Sequence, residues 1–152
     1  VTLCVEFRVR EPLEEQVSGF DLGDVDLRGS GGETSSRGRR PDQGMMIHLA
    51  LTDLLDGART LVSRERPGRT WKFVGTDSSF VLDFRLLRDG RLRISQGGRV
   101  LDESDAGETL AELLRAAEEF AAVHLPPLPE DDAARGDLVA SLEDFRAYVA
   151  GR

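Results

Sequence analysis

The sequence predicts an α+β domain: a two-layer, six-stranded, mostly antiparallel sheet with three helices, in the order ββαββββαα. Three observations carry this expectation. Phe80, Leu82, Phe84 and Leu86 alternate with Val81, Asp83, Arg85 and Leu87, the period of a half-buried strand. Asp89-Gly90 and Gly97-Gly98 punctuate the same stretch as hairpin turns, so residues 70–103 read as a four-strand meander. Residues 45–64 and 105–124 carry apolar stripes at helical spacing.

Along the chain, Leu3, Val5, Phe7 and Val9 alternate with Cys4, Glu6, Arg8 and Arg10, so residues 2–10 form a strand with one dry face that ends at Glu11-Pro12. A second strand covers Phe20 to Arg28. Its apolar phase slips between Phe20/Leu22 and Val25/Leu27, and a β-bulge at Gly23 would return both pairs to the core. Residues 29–43 are rich in Gly, Ser and Arg with no apolar residue, and are expected to be a mobile loop. Met45 to about Arg64 follows as a helix with Asp42 as its N-cap and Pro67-Gly68 as its stop. Ile47, Leu51, Leu54, Leu55, Ala58, Leu61 and Val62 make its buried stripe. Met45 and Leu49 point away from it, so a homodimer through them is expected only if nothing in the chain covers them.

In the meander, a two-residue turn at Asp89-Gly90 would set Leu86 opposite Arg93. A three-residue loop Arg88-Asp89-Gly90, with Gly90 left-handed, sets Leu86 opposite Leu92 and Phe84 opposite Ile94, which keeps one face apolar. Gly97-Gly98 then brings Leu101 to Ile94. Asp105 with Glu108 starts the second helix in a capping-box pattern, and Pro126, Pro127 and Pro129 end it. The last helix runs from about Asp132 to Val149, with Leu138, Leu142, Phe145 and Val149 inward.

The whole chain, residues 1–152, is read as one domain, large enough to bury a core without staples. No apolar run approaches the roughly 18–20 residues that span a bilayer, and no leader pattern opens the chain, so no membrane partner is expected. The single cysteine, Cys4, gives no intrachain disulfide or redox motif, and a cytoplasmic location is the expectation. Arginine outnumbers lysine 19 to 1, the usage of a GC-rich bacterial coding sequence.

A net charge of −8 argues against nucleic acid, whose binders neutralise phosphates. The charge is unevenly placed. Residues 1–101 hold 15 acidic and 16 basic side chains, whereas residues 102–152 hold 13 acidic and 4 basic. The outward-facing charges of that C-terminal third, Glu112, Glu118, Glu119, Asp137, Glu143 and Asp144, fall off the apolar stripes and form the expected protein-binding surface for a basic protein partner.

Residues with catalytic potential are sparse. Cys4, His48 and His124 are far apart, and Asp21, Asp24 and Asp26 lack the spacing of a calcium loop, so no metal is expected. No nucleophile elbow, Cys–His pair or phosphate loop is present, no cofactor is implied, and a non-enzymatic role is preferred. The alternative is a small-molecule site between the 29–43 segment and the first helix, using Arg39, Arg40, His48 and Asp77; mobile arginines clamp phosphates or carboxylates. In size and charge the chain is similar to bacterial immunity or antitoxin proteins, a general likeness that rests on no shared motif.

Overall fold

Alternation decides the first strand pair. Val5 and Phe7 are buried on one side of β1 (Cys4–Val9), while Cys4, Glu6 and Arg8 meet solvent on the other. The computed structural model describes residues 2–11, 17–64 and 66–152; Pro12, expected to end this strand, lies outside them. β2 (Leu22–Arg28) runs antiparallel to β1, with Cys4 opposite Arg28 and Val9 opposite Gly23. This register is continuous, so the bulge expected at Gly23 does not form. The phase slip is absorbed instead by letting Phe20 and Leu22 face outward, at 63% and 41% exposure.

The class is α+β as expected, but the single six-stranded sheet is replaced by two antiparallel sheets of four strands each. The two additional strands are very short. β3 (Glu33–Ser35) pairs with residues 26–28 of β2, and β4 (Met45–Met46) pairs with Leu22 and Gly23. β2 therefore has β1 along one side and β3 and β4 along the other. The second sheet is the meander β5 (Thr70–Val74), β6 (Val81–Leu86), β7 (Arg91–Gln96) and β8 (Arg99–Asp105), paired in sequence order.

The argument from facing residues holds at the central hairpin: Leu86 lies opposite Leu92, Phe84 opposite Ile94, and Gly90 has φ +82°. At the next hairpin it misses by one residue. Ile94 pairs with Asp102 and Ser95 with Val100, so Leu101 is the extra residue of a bulge, and both Leu101 and Asp102 are buried.

Helix α1 (Ile47–Ser63) starts later than expected because Met45 and Met46 are used as a strand. Its N-cap is Met46, without a side-chain cap, whereas the Asp42 carboxylate accepts from the Gly44 amide and from Arg10. α2 (Ala106–His124) and α3 (Ala133–Ala150) have side-chain caps: Asp105 accepts from the Gly107 amide and Asp132 from the Arg135 amide, each at 2.9 Å. α1 packs on β5 and α3, and α2 packs on β1 and α3, so one apolar core joins both sheets to all three helices. Met45 is fully buried in that core beside Gly75, and Leu49 is half-buried; the condition set for a Met45–Leu49 dimer is not met at Met45. Among the described residues no helix is long and apolar enough to cross a membrane.

The 29–43 segment has more structure than its composition implied. Besides forming β3, it buries Thr34 and Ser36, and Ser36 exchanges hydrogen bonds with Val25 through its amide (3.1 Å) and its hydroxyl (3.0 Å). Polar contacts fasten it where apolar ones are absent.

α1 carries a glycine in mid-helix for a steric reason. A Cβ at Gly57 would collide with Cζ2 of Trp71, so the indole of β5 rests directly on the helix backbone there. Two glycine-to-alanine substitutions separate sterics from backbone conformation. Gly57→Ala adds about 1 kcal/mol of helix propensity but forces the Trp71 ring aside, and a net destabilisation of about 1–2 kcal/mol is expected. Gly90→Ala meets no neighbour within 4 Å, so its expected loss of about 1 kcal/mol is conformational. Urea midpoints at unchanged slope measure both; a raised midpoint for Gly57→Ala would show that Trp71 is free to move.

Candidate functional site

Of the four residues of the small-molecule alternative, His48 is buried while Arg39, Arg40 and Asp77 are exposed, and Arg39 lines a cleft with Gln43 and Ser79. His48 is buried in α1, with its ring edge-on to Phe120 of α2 at 5.2 Å, and none of the described clefts is lined by it. Arg39 is exposed and turned to the β3–β7 side, donating to the Thr34 hydroxyl (2.8 Å) and the Ser35 carbonyl (3.0 Å). Arg40 is exposed, and Asp77 is an exposed turn residue at φ +56° between β5 and β6. One part of the expected arrangement does exist: the Ser78 hydroxyl donates to the Gln43 carbonyl (2.8 Å), so the end of the 29–43 segment touches the Asp77 turn. His48 lies in the helix layer and is no part of this contact.

A cleft of about 590 Å³ opens on the outer face of the first sheet, lined by Cys4, Arg8, Arg28, Glu33, Arg37 and Arg39 among others. Its arginines do not make it an anion site, because Glu6, Asp26 and Glu33 line it too. Arg8 is held by Glu6 (2.9 Å) and Asp26 (3.3 Å), and Asp26 also accepts from the Ser35 hydroxyl. Beside it, the Arg10 guanidinium bridges Asp24 and Asp42 through four hydrogen bonds of 2.8–2.9 Å. The bonds from Asp42 and Asp24 raise the Arg10 pKa well above its ordinary value, and Arg10 in turn holds the Asp42 carboxyl far below the carboxylate range. Asp24 is buried and also accepts from the Ser36 hydroxyl at 2.7 Å. Asp102, fully buried at the β8 bulge, accepts from Ser104 Oγ (2.7 Å) and the Ser30 amide (3.0 Å). Both networks hold chain segments rather than reacting groups. Of the three aspartates weighed as a calcium loop, Asp24 and Asp26 are thus engaged by arginine, and among the described residues no group of three or more His, Cys, Asp or Glu side chains is placed to hold a metal.

The six acidic candidates divide sharply. Glu112 is turned into the structure, accepting from the Val5 amide of β1 (2.8 Å) and pairing with Arg115 (2.6 Å), whose guanidinium also donates to the Val5 carbonyl (3.2 Å). Burial works against the Glu112 carboxylate, but Arg115 and the Val5 amide outweigh it and hold the carboxyl below its usual value. Glu119 pairs with Arg115 (2.9 Å), and Glu118 pairs with Arg146 of α3 (2.9 Å). Glu112 is therefore half-buried rather than outward-facing, and its loss would leave a β1 amide without its acceptor. Asp137, Glu143 and Asp144 are exposed on α3, with no ion pair among the described residues. Helical spacing already sets Glu112 and Glu119 three and four residues from Arg115, whereas the bonds of Glu112 to β1 and of Glu118 to Arg146 of α3 come from tertiary packing that the helical period does not contain.

Compared with protein-family models, with curated proteins and with solved structures, the chain has no significant match.

Among the described residues His48 is buried with no partner for either ring nitrogen. Burial lowers its pKa below the ordinary 6.5; Asp21 and Asp132 oppose this shift and His124 reinforces it. His124 itself, packed 4.8 Å from Phe120, is lowered by burial as well. A folded state that prefers neutral imidazole is fully stabilised above pH 6.5 and loses stability as the pH falls from there toward the depressed folded-state pKa. His48→Leu is therefore expected to leave stability at pH 7.5 equal or higher and to flatten the loss between pH 6.5 and 5. One histidine contributes at most about 1.4 kcal/mol per pH unit to that slope. Urea midpoints across this range check it, and an unchanged slope would show that His48 does not titrate with unfolding.

Proposed function

We propose that the chain is a protein-binding domain that meets a basic partner through the outer face of α3. The observation that carries this reading is the set of exposed carboxylates of Asp137, Glu143 and Asp144, which no internal cation neutralises among the described residues. Between them the helix shows Gly136, Val139, Ala140 and Ala147, all exposed. Small side chains let a partner approach closely and lose little rotamer freedom on contact. Unpaired surface carboxylates raise a local negative potential that speeds and orients encounter with a positive surface. The burial of His48 weighs against the small-molecule alternative, and the general likeness in size and charge to immunity and antitoxin proteins agrees with a binding role.

The experiment is affinity capture from an extract of the organism that encodes the chain, with wild type and the triple variant Asp137→Lys, Glu143→Lys, Asp144→Lys side by side. These positions lie off the buried stripe of α3, so stability is expected to change by less than about 0.5 kcal/mol. Partner capture and on-rate are expected to fall at least tenfold. The wild-type on-rate is expected to fall as salt rises past about 0.1–0.15 M, where the screening length is about 8–10 Å. A salt-independent on-rate shared by both proteins would leave the α3 carboxylates as solvated surface.

A further inference from the structure

We infer that the free edge of β5, beside α1, is a strand-addition site for an extended segment of a partner protein that carries a basic side chain toward Asp53. The inference goes beyond the α3 reading and stands or falls without it.

Hydrogen-bond parity defines the edge. The Gly75 amide donates to the Phe80 carbonyl (2.9 Å) and the Leu86 amide to the Arg69 carbonyl (2.9 Å), so positions 69, 71, 73 and 75 turn their backbone groups to β6. Thr70, Lys72 and Val74 turn theirs the other way, and among the described residues nothing hydrogen-bonds to them. The chain itself fills the next rung: the Met46 amide of β4 donates to the Thr76 carbonyl (3.0 Å), and the backbone then turns away into α1. An incoming strand would continue the line that β4 starts, with α1 as its floor.

That floor has relief and charge. The contact of Trp71 with Gly57 divides the groove between α1 and β5 into two hollows of about 300 Å³ each. Alternate side chains of an added strand point to one side about 6.5–7 Å apart. The hollow toward Val74 is lined by Asp53 and Asp56 and also by Lys72, whose ammonium is paired with Asp83 of β6 (3.8 Å). Asp56 is engaged by Ser141 of α3 (2.7 Å) and by Arg59 (3.6 Å), whereas Asp53 has no cationic partner among the described residues. Partial desolvation, and then the charge of Asp56, raise the Asp53 carboxyl above its ordinary value; a cation placed there would favour the carboxylate and act against both. A second copy of this chain is the poorer occupant, because two β5 edges paired about their centre set Lys72 against Lys72.

The test uses the intact chain and a short blocked peptide alternating threonine with arginine, with a threonine–glutamate peptide as its counterpart. Amide hydrogen exchange is read residue by residue. In the free protein, Thr70, Lys72 and Val74 are expected to exchange fast while Trp71 and Phe73 are protected. The arginine peptide should slow exchange at those three amides at least tenfold, and the glutamate peptide should not. Asp53→Lys should weaken the arginine peptide about tenfold or more while leaving the exchange pattern of the free protein unchanged. Lys72→Pro, which removes an edge donor at a position where proline is tolerated, should abolish protection at Thr70 and Val74. Edge amides that are already slow in the free protein, that slow with protein concentration alone, or that ignore the arginine peptide overturn the proposal. So does equal protection by both peptides. Loss of partner capture in the α3 variant with the edge amides unresponsive would keep the α3 reading and reject this one.

Discussion

The first sheet depends on the Arg10 guanidinium held between Asp24 and Asp42. β2 must serve two roles at once, pairing with β1 along its length and carrying β3 and β4 on its far side. That leaves Asp24, in the middle of the strand, buried under the returning 29–43 segment. A buried carboxylate is tolerated only with full hydrogen-bonding and an opposite charge. Arg10 supplies the charge, Ser36 a further donor, and Asp42 shares the same guanidinium from the end of the segment. The consequence is a closed circuit: the charge that would forbid burial of Asp24 is what fastens the polar segment over it. β4 can then pair with Leu22 and Gly23 and direct α1 into the core.

This circuit explains where sequence reading stopped. The meander was legible because each residue of Phe80–Leu86 has a preferred side, and a one-residue error would have buried Arg93; the observed facing of Leu86 and Leu92 follows from that penalty alone. The three helices were legible from their stripes. β3 and β4 were not, since three residues and two residues are too short to show a period, and the order of Glu33–Ser35 rests on hydrogen bonds to partners far along the chain. Low apolar content in 29–43 was a sound reason to expect few hydrophobic contacts. It was no guide to Arg10, Asp24 and Gln96, which sequence leaves unconnected to the segment. Phe20 and Leu22 misled in the opposite sense, for an apolar pair is not obliged to be inside.

The acidic C-terminal third was legible as a total and illegible as a surface. α2 spends its carboxylates internally: Glu112 on the backbone of β1, Glu118 on the docking of α3, Glu119 on Arg115. α3 has no such obligations for Asp137, Glu143 and Asp144. The Arg115 pairs follow from helical spacing, but the bonds of Glu112 to β1 and of Glu118 to α3 are properties of tertiary packing that one-dimensional periodicity does not contain. The same holds for the small-molecule alternative. His48 is an interior histidine because α1 turns it toward Phe120, and Arg39 is a loop fastener because β3 places Thr34 beside it.

The edges of the two sheets complete the argument. An uncovered strand edge invites pairing with another chain, and natural sheets cover, charge or shorten such edges. The β1 edge is met at Val5 by Glu112 and Arg115, which together imitate the acceptor and donor of a neighbouring strand. Short β3 offers its Glu33 carbonyl to Arg99 (2.7 Å), and the Leu101 carbonyl of β8 receives the Gly31 amide (2.8 Å). Each of these three edges is thus contacted by the chain's own polar groups. The β5 edge is treated differently: among the described residues no such group meets its backbone, and its one charged side chain, Lys72, is paired with Asp83 (3.8 Å) and opposes only its own copy. Among the described residues the β1, β3 and β8 edges are contacted in this way and the β5 edge is not, although it lies beside α1, the helix on which α3 packs.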